Sequence, residues 1–349
     1  MTSPPERPTR DPEGVIPVVI LNWNGEDDTV ACLESIRKSG PAGFAPVIVD
    51  NGSDSESVER LKRECRRLYR KVLFLQQSGL SAGQWPPPAT LAAHLDEDSL
   101  VFIQNAENLG FAMGSNVGVR LAERVGAEWV MLLNNDTVVA PDTFQELRTF
   151  LRSEPAAVAI TPQIRYFGQR TRIQNCGGRL TYLGSRQYLF ADMEASALAR
   201  VSHSVVTFVT GCALLFKFRV TGALTEDFYF GEEDYEFALR MKKLGLEMAC
   251  VHGAIVYHKG GASIRRRSSA LGAILVSYVN RLVNTRNYYS RARWHTTRIL
   301  AYLRLPILLR RNGIDPRQSI AIIRRTEAYL RGHRGVGRAD HDAMVMSNS

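Results

Sequence analysis

Short apolar runs, each halted by a cluster of asparagines and aspartates, constrain the fold of this chain more than any other feature. Val15 to Leu21 reads VIPVVIL and stops at Asn22-Trp23-Asn24-Gly25. Pro46 to Val49 stops at Asp50-Asn51-Gly52-Ser53-Asp54, and Trp129 to Leu133 stops at Asn134-Asn135-Asp136-Thr137. A further run covers Val101 to Gln104. Runs this short and apolar, bounded by turn formers, read as buried strands. Between them, Asp28 to Lys38, Ser55 to Tyr69 and Phe111 to Arg124 read as helices, and Pro141 suits the first turn of another that reaches about Ser153. Strand–helix alternation predicts an α/β fold, with a mostly parallel sheet covered on both faces.

The 349 residues suffice for one large domain, or for a domain with an appendage. The opening MTSPPERPTRDPEG is polar and Pro-rich, without the apolar run of a signal peptide. No stretch of about eighteen apolar residues occurs, so no transmembrane helix is expected. Cys32, Cys65, Cys176, Cys212 and Cys250 are scattered with no CxxC pair, which fits core packing in a reducing cytosol better than disulfides or zinc. Gln76 to Asp98, with Gly79, Gly83 and Pro86 to Pro88, reads as an insertion.

The net charge of +9 is uneven. Ile264 to Arg338 holds seventeen arginines against only Asp315 and Glu327, which leaves the rest of the chain near −6. No nucleic-acid-binding module is visible, so nucleic acid is not an expected partner. Ile299 to Arg311 instead mixes apolar and basic residues, as helices that rest on anionic membranes do. A helical cap that completes the site is the plainer reading of the same segment.

Ligands of open α/β sheets lie at the carboxyl ends of strands, where the polar clusters stand. A carboxylate such as Asp50 can accept the N3–H of a pyrimidine, although Asn-Gly and Ser/Asp also form simple turns and caps. In Asn108-Leu109-Gly110-Phe111-Ala112-Met113-Gly114-Ser115-Asn116, two glycines allow close approach at a helix start, where free N–H groups favour anions. Asn134 and Asp136 alternate and so project to one side, and Asp136 has the hard oxygen that Mg²⁺ or Mn²⁺ requires. The later run Phe228-Tyr229-Phe230-Gly231-Glu232-Glu233-Asp234-Tyr235-Glu236-Phe237 sets acids at a helix start, followed at a distance by Tyr257-His258-Lys259-Gly260-Gly261-Ala262-Ser263. Acids there offset the helix dipole, but that leaves the aromatic run unexplained.

The ordered set VVILNWNG, VDNGSDS, NLGFAMGSN, LLNNDT, TGCALLF, FGEEDYE and HKGGAS resembles the family 2 glycosyltransferases of GT-A fold, in particular a bacterial rhamnosyltransferase-like branch. The likeness runs from about Val18 to Ser263, with a weaker continuation through Asn284 to Tyr289. It implies a Rossmann-like, nucleotide-sugar-binding mixed sheet flanked by helices over residues 15–264, with the insertion 76–98. A basic helical extension over 265–335 follows, and tails at 1–14 and 336–349 flank the whole. By the same resemblance Asp50 reads the nucleobase beside Asn22 and Asn24, and Asn108, Gly110 and Asn116 contact the nucleoside. Asn134-Asn135-Asp136 matches the metal and diphosphate motif Asp-x-Asp, with Asn in the first place and hence one charge fewer for the cation. Asp136 and His258, with Asn134, are the implied ligands of a divalent cation, Mg²⁺ or Mn²⁺. Asp234 matches the catalytic carboxylate, and Thr210, Gly211 and Glu233 fall on the acceptor side.

The implied reaction is inverting transfer of a sugar from a nucleoside-diphosphate donor to a glycan or polyprenyl-linked acceptor in cell-surface polysaccharide synthesis. Such an enzyme would work in the cytoplasm, at the inner face of the membrane. The branch resemblance favours dTDP-L-rhamnose; UDP-linked galactofuranose, galactose or N-acetylglucosamine are the alternatives. A nucleotidyltransferase would need a Gly-rich basic loop after the first strand, which NWNGEDD lacks, and a non-catalytic sugar-nucleotide sensor would tolerate the Asn134 departure. The neighbouring acids Glu232, Glu233 and Glu236 should raise the pKa of Asp234.

Overall fold

The computed structural model describes residues 14–260 and 270–346. Most of the expected N-terminal tail, Gly261 to Ser263 of the late motif and Arg265 to Arg267 lie outside the described residues. The chain opens with β1 (Ile16–Asn22), α1 (Glu26–Lys38), β2 (Phe44–Asp50) and α2 (Ser55–Leu68). Next comes β3 (Lys71–Gln76), a strand that the apolar pattern did not reveal because it is only half-buried. The expected insertion holds two short helices, α3 (Gln77–Ser81) and α4 (Pro88–Ala92), ahead of β4 (Ser99–Gln104). Then follow α5 (Phe111–Arg124), β5 (Val130–Asn134), β6 (Thr137–Val139) and α6 (Thr143–Ser153).

Parallel pairing joins β1 to β2 and β5, β2 to β4, and β4 to β3. Successive residues of β1 enter two different cores. Ile16, Val18 and Ile20 share one with Leu33 and Ile36 of α1, whereas Val19 shares the other with Val117 and Leu121 of α5. A strand covered on both faces has no polar alternation to offer, which explains the unbroken VIPVVIL. Gly118 sets the spacing on one side: any side chain there would run into Val19, so α5 lies flat against β1.

The second half of the chain changes the sheet. It contributes β7 (Ala157–Tyr166), β8 (Ile173–Asn175), β9 (Gly178–Leu180), β10 (Arg186–Tyr188), β11 (His203–Val206) and β12 (Ala213–Phe216). After α7 (Phe218–Thr221) and α8 (Glu233–Leu244), β13 (Glu247–His258) completes an order β11-β13-β7-β12-β5-β1-β2-β4-β3. Strand β12 enters antiparallel between β5 and β7. Its amino end therefore stands at the carboxyl end of β5, where Asn134 N donates to the Cys212 carbonyl at 2.8 Å. This one reversal delivers a second segment to the edge where ligands bind.

The remaining elements are α9 (Ala270–Tyr288), α10 (Arg291–Arg311), α11 (Ser319–Leu330) and α12 (Arg338–Met346). They enclose a third core of Leu275, Val279, Leu282, Leu305, Leu309 and Ile322, which Phe228 enters from the sheet domain. Of the tail expected over 336–349, the described residues 336–346 pack against these helices instead. Val336 and Met344 are buried in this third core. Val336 also exchanges backbone hydrogen bonds with Asp227 (2.6 Å) and Tyr229 (2.8 Å). Among the described residues, no helix is long and apolar enough to cross a membrane.

Candidate active site

Strand register builds the ligand edge. Asn22 is level with Asp50, Asp50 with Gln104, and Leu21 with Asn134. At this edge Asn22 Nδ2 donates to Asp50 Oδ1 (2.9 Å), and Asp50 also accepts from Ser53 Oγ (2.6 Å) and Ser53 N (3.2 Å). The Asn22 oxygen accepts from Thr29 Oγ1 at 2.9 Å. Asn24 adopts φ 47° and accepts from Asp54 N at 2.9 Å, which fastens the β1 loop to the β2 loop. Burial pushes the Asp50 carboxyl above its ordinary range, against the hydrogen bonds of Ser53 and Asn22.

A second amide network extends from β2 to the helix start. Asn51 Nδ2 donates to Asn108 Oδ1 and to the Gly110 carbonyl, both at 3.0 Å, while its oxygen accepts from Asn105 Nδ2 and Leu109 N, also at 3.0 Å. Asn108 in turn accepts from Gly110 N at 2.9 Å. Gly110 has φ 83°, and a side chain there would collide with the Tyr229 carbonyl, which accepts from Phe111 N at 3.2 Å. Only glycine meets both demands. The Asn116 amide is spent elsewhere: it donates to Leu224 O and Glu226 Oε1, both at 2.9 Å, and accepts from Leu224 N at 3.2 Å. It anchors the 224–226 loop to α5. Asn51, within the second polar cluster, bridges two loops and so has the larger share in positioning them.

Asp136 and His258 meet because β6 pairs antiparallel with the end of β13, with Thr137 level with His258. His258 Nε2 lies 3.3 Å from Asp136 Oδ1, a buried oxygen that accepts no directed hydrogen bond. His258 Nδ1 contacts Gln174 Oε1 at 2.9 Å, so the carboxamide oxygen takes the Nδ1 proton and the other nitrogen faces Asp136. Burial opposes charge on this ring, but Cys212 and Asp136 beside it outweigh that and push its pKa up to about 10. A buried carboxylate oxygen and an imidazole nitrogen 3.3 Å apart, with a partner that orients the imidazole, together fit a divalent cation in place of the proton of that ion pair. Asn134, partly exposed at the end of β5, is close in the chain and offers an amide oxygen. Asn135 is committed to Thr29 Oγ1 (3.1 Å) and the Gly25 carbonyl (3.3 Å), holding the β5 loop on the β1 loop.

Asp234 sits in the first turn of α8, with its side chain 21% exposed. Its Oδ2 faces Gly211 N at 3.4 Å, and its Oδ1 faces Arg186 Nη1 at 3.4 Å. Thr210, one residue earlier, accepts from Cys212 N at 3.3 Å. Since Cys212 is bonded to Asn134, the carboxylate and the metal-type pair belong to one edge. Burial raises the Asp234 pKa, Arg186 opposes this, and Glu232 adds to it. The like-charge effect expected from sequence is present, but burial is the larger cause.

Glu232 is buried at φ 75° and held by two arginines. Arg186 Nη2 reaches it at 3.0 Å and Arg281 Nη2 at 2.8 Å, with Arg281 Nε also in contact. Arg281 further donates to Gly184 O at 2.9 Å and stacks 3.9 Å over the Tyr235 ring. Glu233 turns inward, accepts from Gly231 N at 2.8 Å, and burial pushes its pKa up to about 8. Burial thus favours the neutral form of Glu233, whereas the Asp234 side chain is the more exposed of the two. Arg186, Arg281 and Gln174 were not found in the sequence, because each meets its partner across a long stretch of chain and lies in no local motif.

A mixed sheet of this order, with polar clusters along one edge and an antiparallel strand in its middle, is a GT-A architecture. The family model described as glycosyltransferase like family 2 matches residues 89–282, more than half of the chain. The protein belongs to the family 2 glycosyltransferases. Among solved structures it is similar to GalNAc-T7 with UDP, GalNAc and Mn²⁺, at TM-score 0.57 and 14% identity, over 84% of this chain and 50% of that one. It is also similar to Staphylococcus aureus TarS 1-349 in complex with UDP-GlcNAc, at TM-score 0.50 and 13% identity, over 81% of this chain and 70% of that one. The chain thus spans about half the length of the GalNAc-T7 chain. At such identities the likeness concerns the fold. No curated protein matches the chain.

Proposed function

We propose that this protein transfers a sugar from a nucleoside-diphosphate donor to a carbohydrate hydroxyl, with inversion at the anomeric carbon. The observation that carries this reading is one sheet edge bearing both the Asp136–His258 pair and the partly exposed Asp234 carboxylate. In the proposed reaction the acceptor oxygen attacks the anomeric carbon as the bond to the diphosphate breaks. Asp234 takes the hydroxyl proton, and its raised pKa makes it a stronger base than a solvent-exposed aspartate. Gly211 N and Arg186 hold the carboxylate in place. Asp136 and His258, with Asn134, would hold a divalent cation, which when bound neutralises the charge that develops on the departing diphosphate.

The buried amide networks around Asp50 and Asn51 support a rigid donor site in which the base and ribose meet the β1, β2 and α5 loops. The motif resemblance favours dTDP-L-rhamnose, with UDP-linked sugars as alternatives; UDP and UDP-GlcNAc accompany the two similar structures. We read residues 15–264 as the transfer domain and the helices after it as a platform. On that platform Ile299, Leu303 and Ile307 recur every fourth residue of α10 and are 55%, 67% and 58% exposed, with Ile320 of α11 also exposed. This stripe among arginines supports docking on the anionic inner face of the cytoplasmic membrane, beside a polyprenyl-linked acceptor.

The deciding experiment is a panel of dTDP-, UDP- and GDP-sugars, each tested for hydrolysis and thermal stabilisation with and without Mn²⁺. One donor should be hydrolysed slowly and in a metal-dependent way. Absence of hydrolysis and stabilisation across the panel would overturn the reading.

A further inference from the structure

Away from the transfer edge, one sulfur each from Cys176 and Cys250 and a ring nitrogen of His252 lie within 4.8 Å of one another, all three residues buried. Cys250 and His252 alternate on β13, and Cys176 follows β8 directly. No local motif marks this cluster, because its ligands come from separate parts of the chain rather than from a CxxC pair.

We propose that Cys176, Cys250 and His252 form a structural site for a thiophilic divalent cation, Zn²⁺, distinct from the oxygen-type site at Asp136. Three arguments carry it. The first is ligand type: two thiols and an imidazole are the donors that zinc selects, whereas Mg²⁺ and Mn²⁺ prefer oxygens. Zn–S and Zn–N bonds of about 2.3 and 2.0 Å put ligand atoms roughly 3.5–3.8 Å apart, so a cluster within 4.8 Å closes on the ion by about 1 Å at most.

The second is the orientation of the imidazole. His252 Nδ1 lies 3.0 Å from the Val201 carbonyl, which can only accept, so the Nδ1 proton points there and Nε2 keeps its lone pair. A ligating histidine uses its second nitrogen in this way. Nε2 now meets Ser204 Oγ at 3.1 Å, a contact that a bound ion would replace. The third is charge. Two thiolates and one dication sum to zero, which suits a pocket walled by Phe190, whose ring meets His252 edge-on at 5.9 Å, and by the core around Phe208.

The site would also act on the catalytic edge. Gln174, which orients His258, precedes Cys176 by two residues, and His258 ends the strand that carries Cys250 and His252. A metal joining these segments fixes Gln174 against His258.

The test begins with the full-length protein purified without chelator and dialysed into metal-free buffer. Elemental analysis should return roughly one zinc per chain. Replacement with Co²⁺ should give a thiolate-to-cobalt charge-transfer band, which Mn²⁺ at an oxygen site does not produce. Cys250→Ser should abolish the band, and His252→Gln should weaken zinc retention at least about tenfold. Wild-type protein that holds and takes up no zinc, with both thiols free to alkylation or with Cys176 and Cys250 joined in a disulfide, would overturn the proposal. The measurement on wild type stands even if a variant fails to fold, and it is independent of donor hydrolysis.

Discussion

The two sides of the candidate site are built from different materials. The proposed donor side rests on parallel strands β1, β2 and β5 and on neutral amides: Asn22, Asn51, Asn108 and Asn135 bridge loops whose positions strand register has already set. The proposed acceptor side lies by the antiparallel strand β12 and rests on charge: Glu232, Asp234, Arg186 and Arg281 are held together by ion pairs drawn from three separate parts of the chain. A base needs a tuned proton affinity, and neighbouring charges and burial supply it. A rigid pocket for a nucleotide needs none of that, and uncharged hydrogen bonds form it without the cost of burying ions.

The largest effect should come from the charged side. Asp234→Asn removes the proton acceptor at nearly constant shape and should lower the initial transfer rate by about 10²–10⁴-fold while donor binding survives. Transfer rate and donor-induced thermal shift, measured side by side, separate the two; a rate near wild type would move the base elsewhere. Next is Arg281→Ala, which leaves buried Glu232 with Arg186 alone and should cost about 1.5–3 kcal/mol in urea unfolding. A cost under about 1 kcal/mol would mean that the acceptor side does not depend on its ions.

Gln174→Ala should weaken Mn²⁺ activation by about 10–100-fold through the loosened His258 ring, read from the metal titration of donor hydrolysis. Glu233 gives a pH-dependent signature. Its folded pKa of about 8 exceeds the ordinary 4.5, so the native state binds the proton more tightly than the unfolded chain does. The resulting stability is fully present below about pH 4.5 and is lost as pH rises through 8, with a slope approaching about 1.4 kcal/mol per pH unit between the two. Glu233→Gln should flatten that slope in unfolding midpoints measured across the range. The smallest effect on folding belongs to the joint change Leu303→Ser and Ile307→Ser, expected within about 1 kcal/mol because both side chains are exposed. The same variant should lose flotation with phosphatidylglycerol vesicles, and undiminished flotation would remove the stripe from the docking surface.

The contrast also explains what the sequence disclosed. Apolar runs and their polar stops located β1, β2, β4 and β5, because a strand buried on both faces writes its own composition. β3 escaped, since an edge strand only half-buried mixes Lys71 and Gln76 with its apolar residues. The helix over Arg338–Met346 escaped because RADHDAMVM is short and begins with charged and polar residues, and only its neighbours show that Val336 and Met344 are core. On the donor side, the motif residues lie within their own loops and were legible, although Asn116 serves the 224–226 loop. On the acceptor side only Asp234 and the adjoining acids could be read. Arg186 and Arg281 are two arginines among many until the fold brings both to Glu232.

The clasp formed by residues 336–338 bears on the order in which the protein is made. Val336 pairs with the backbone of Asp227 and Tyr229, and Arg338 reaches Glu107 and, at 3.3 Å, the Asn108 carbonyl. Loops on both sides of the site are thus fastened by residues that leave the ribosome after the whole sheet has been synthesised. A nascent chain can fold its strands early, as domains do during translation, but the mouth of its site stays unfastened until that late segment emerges.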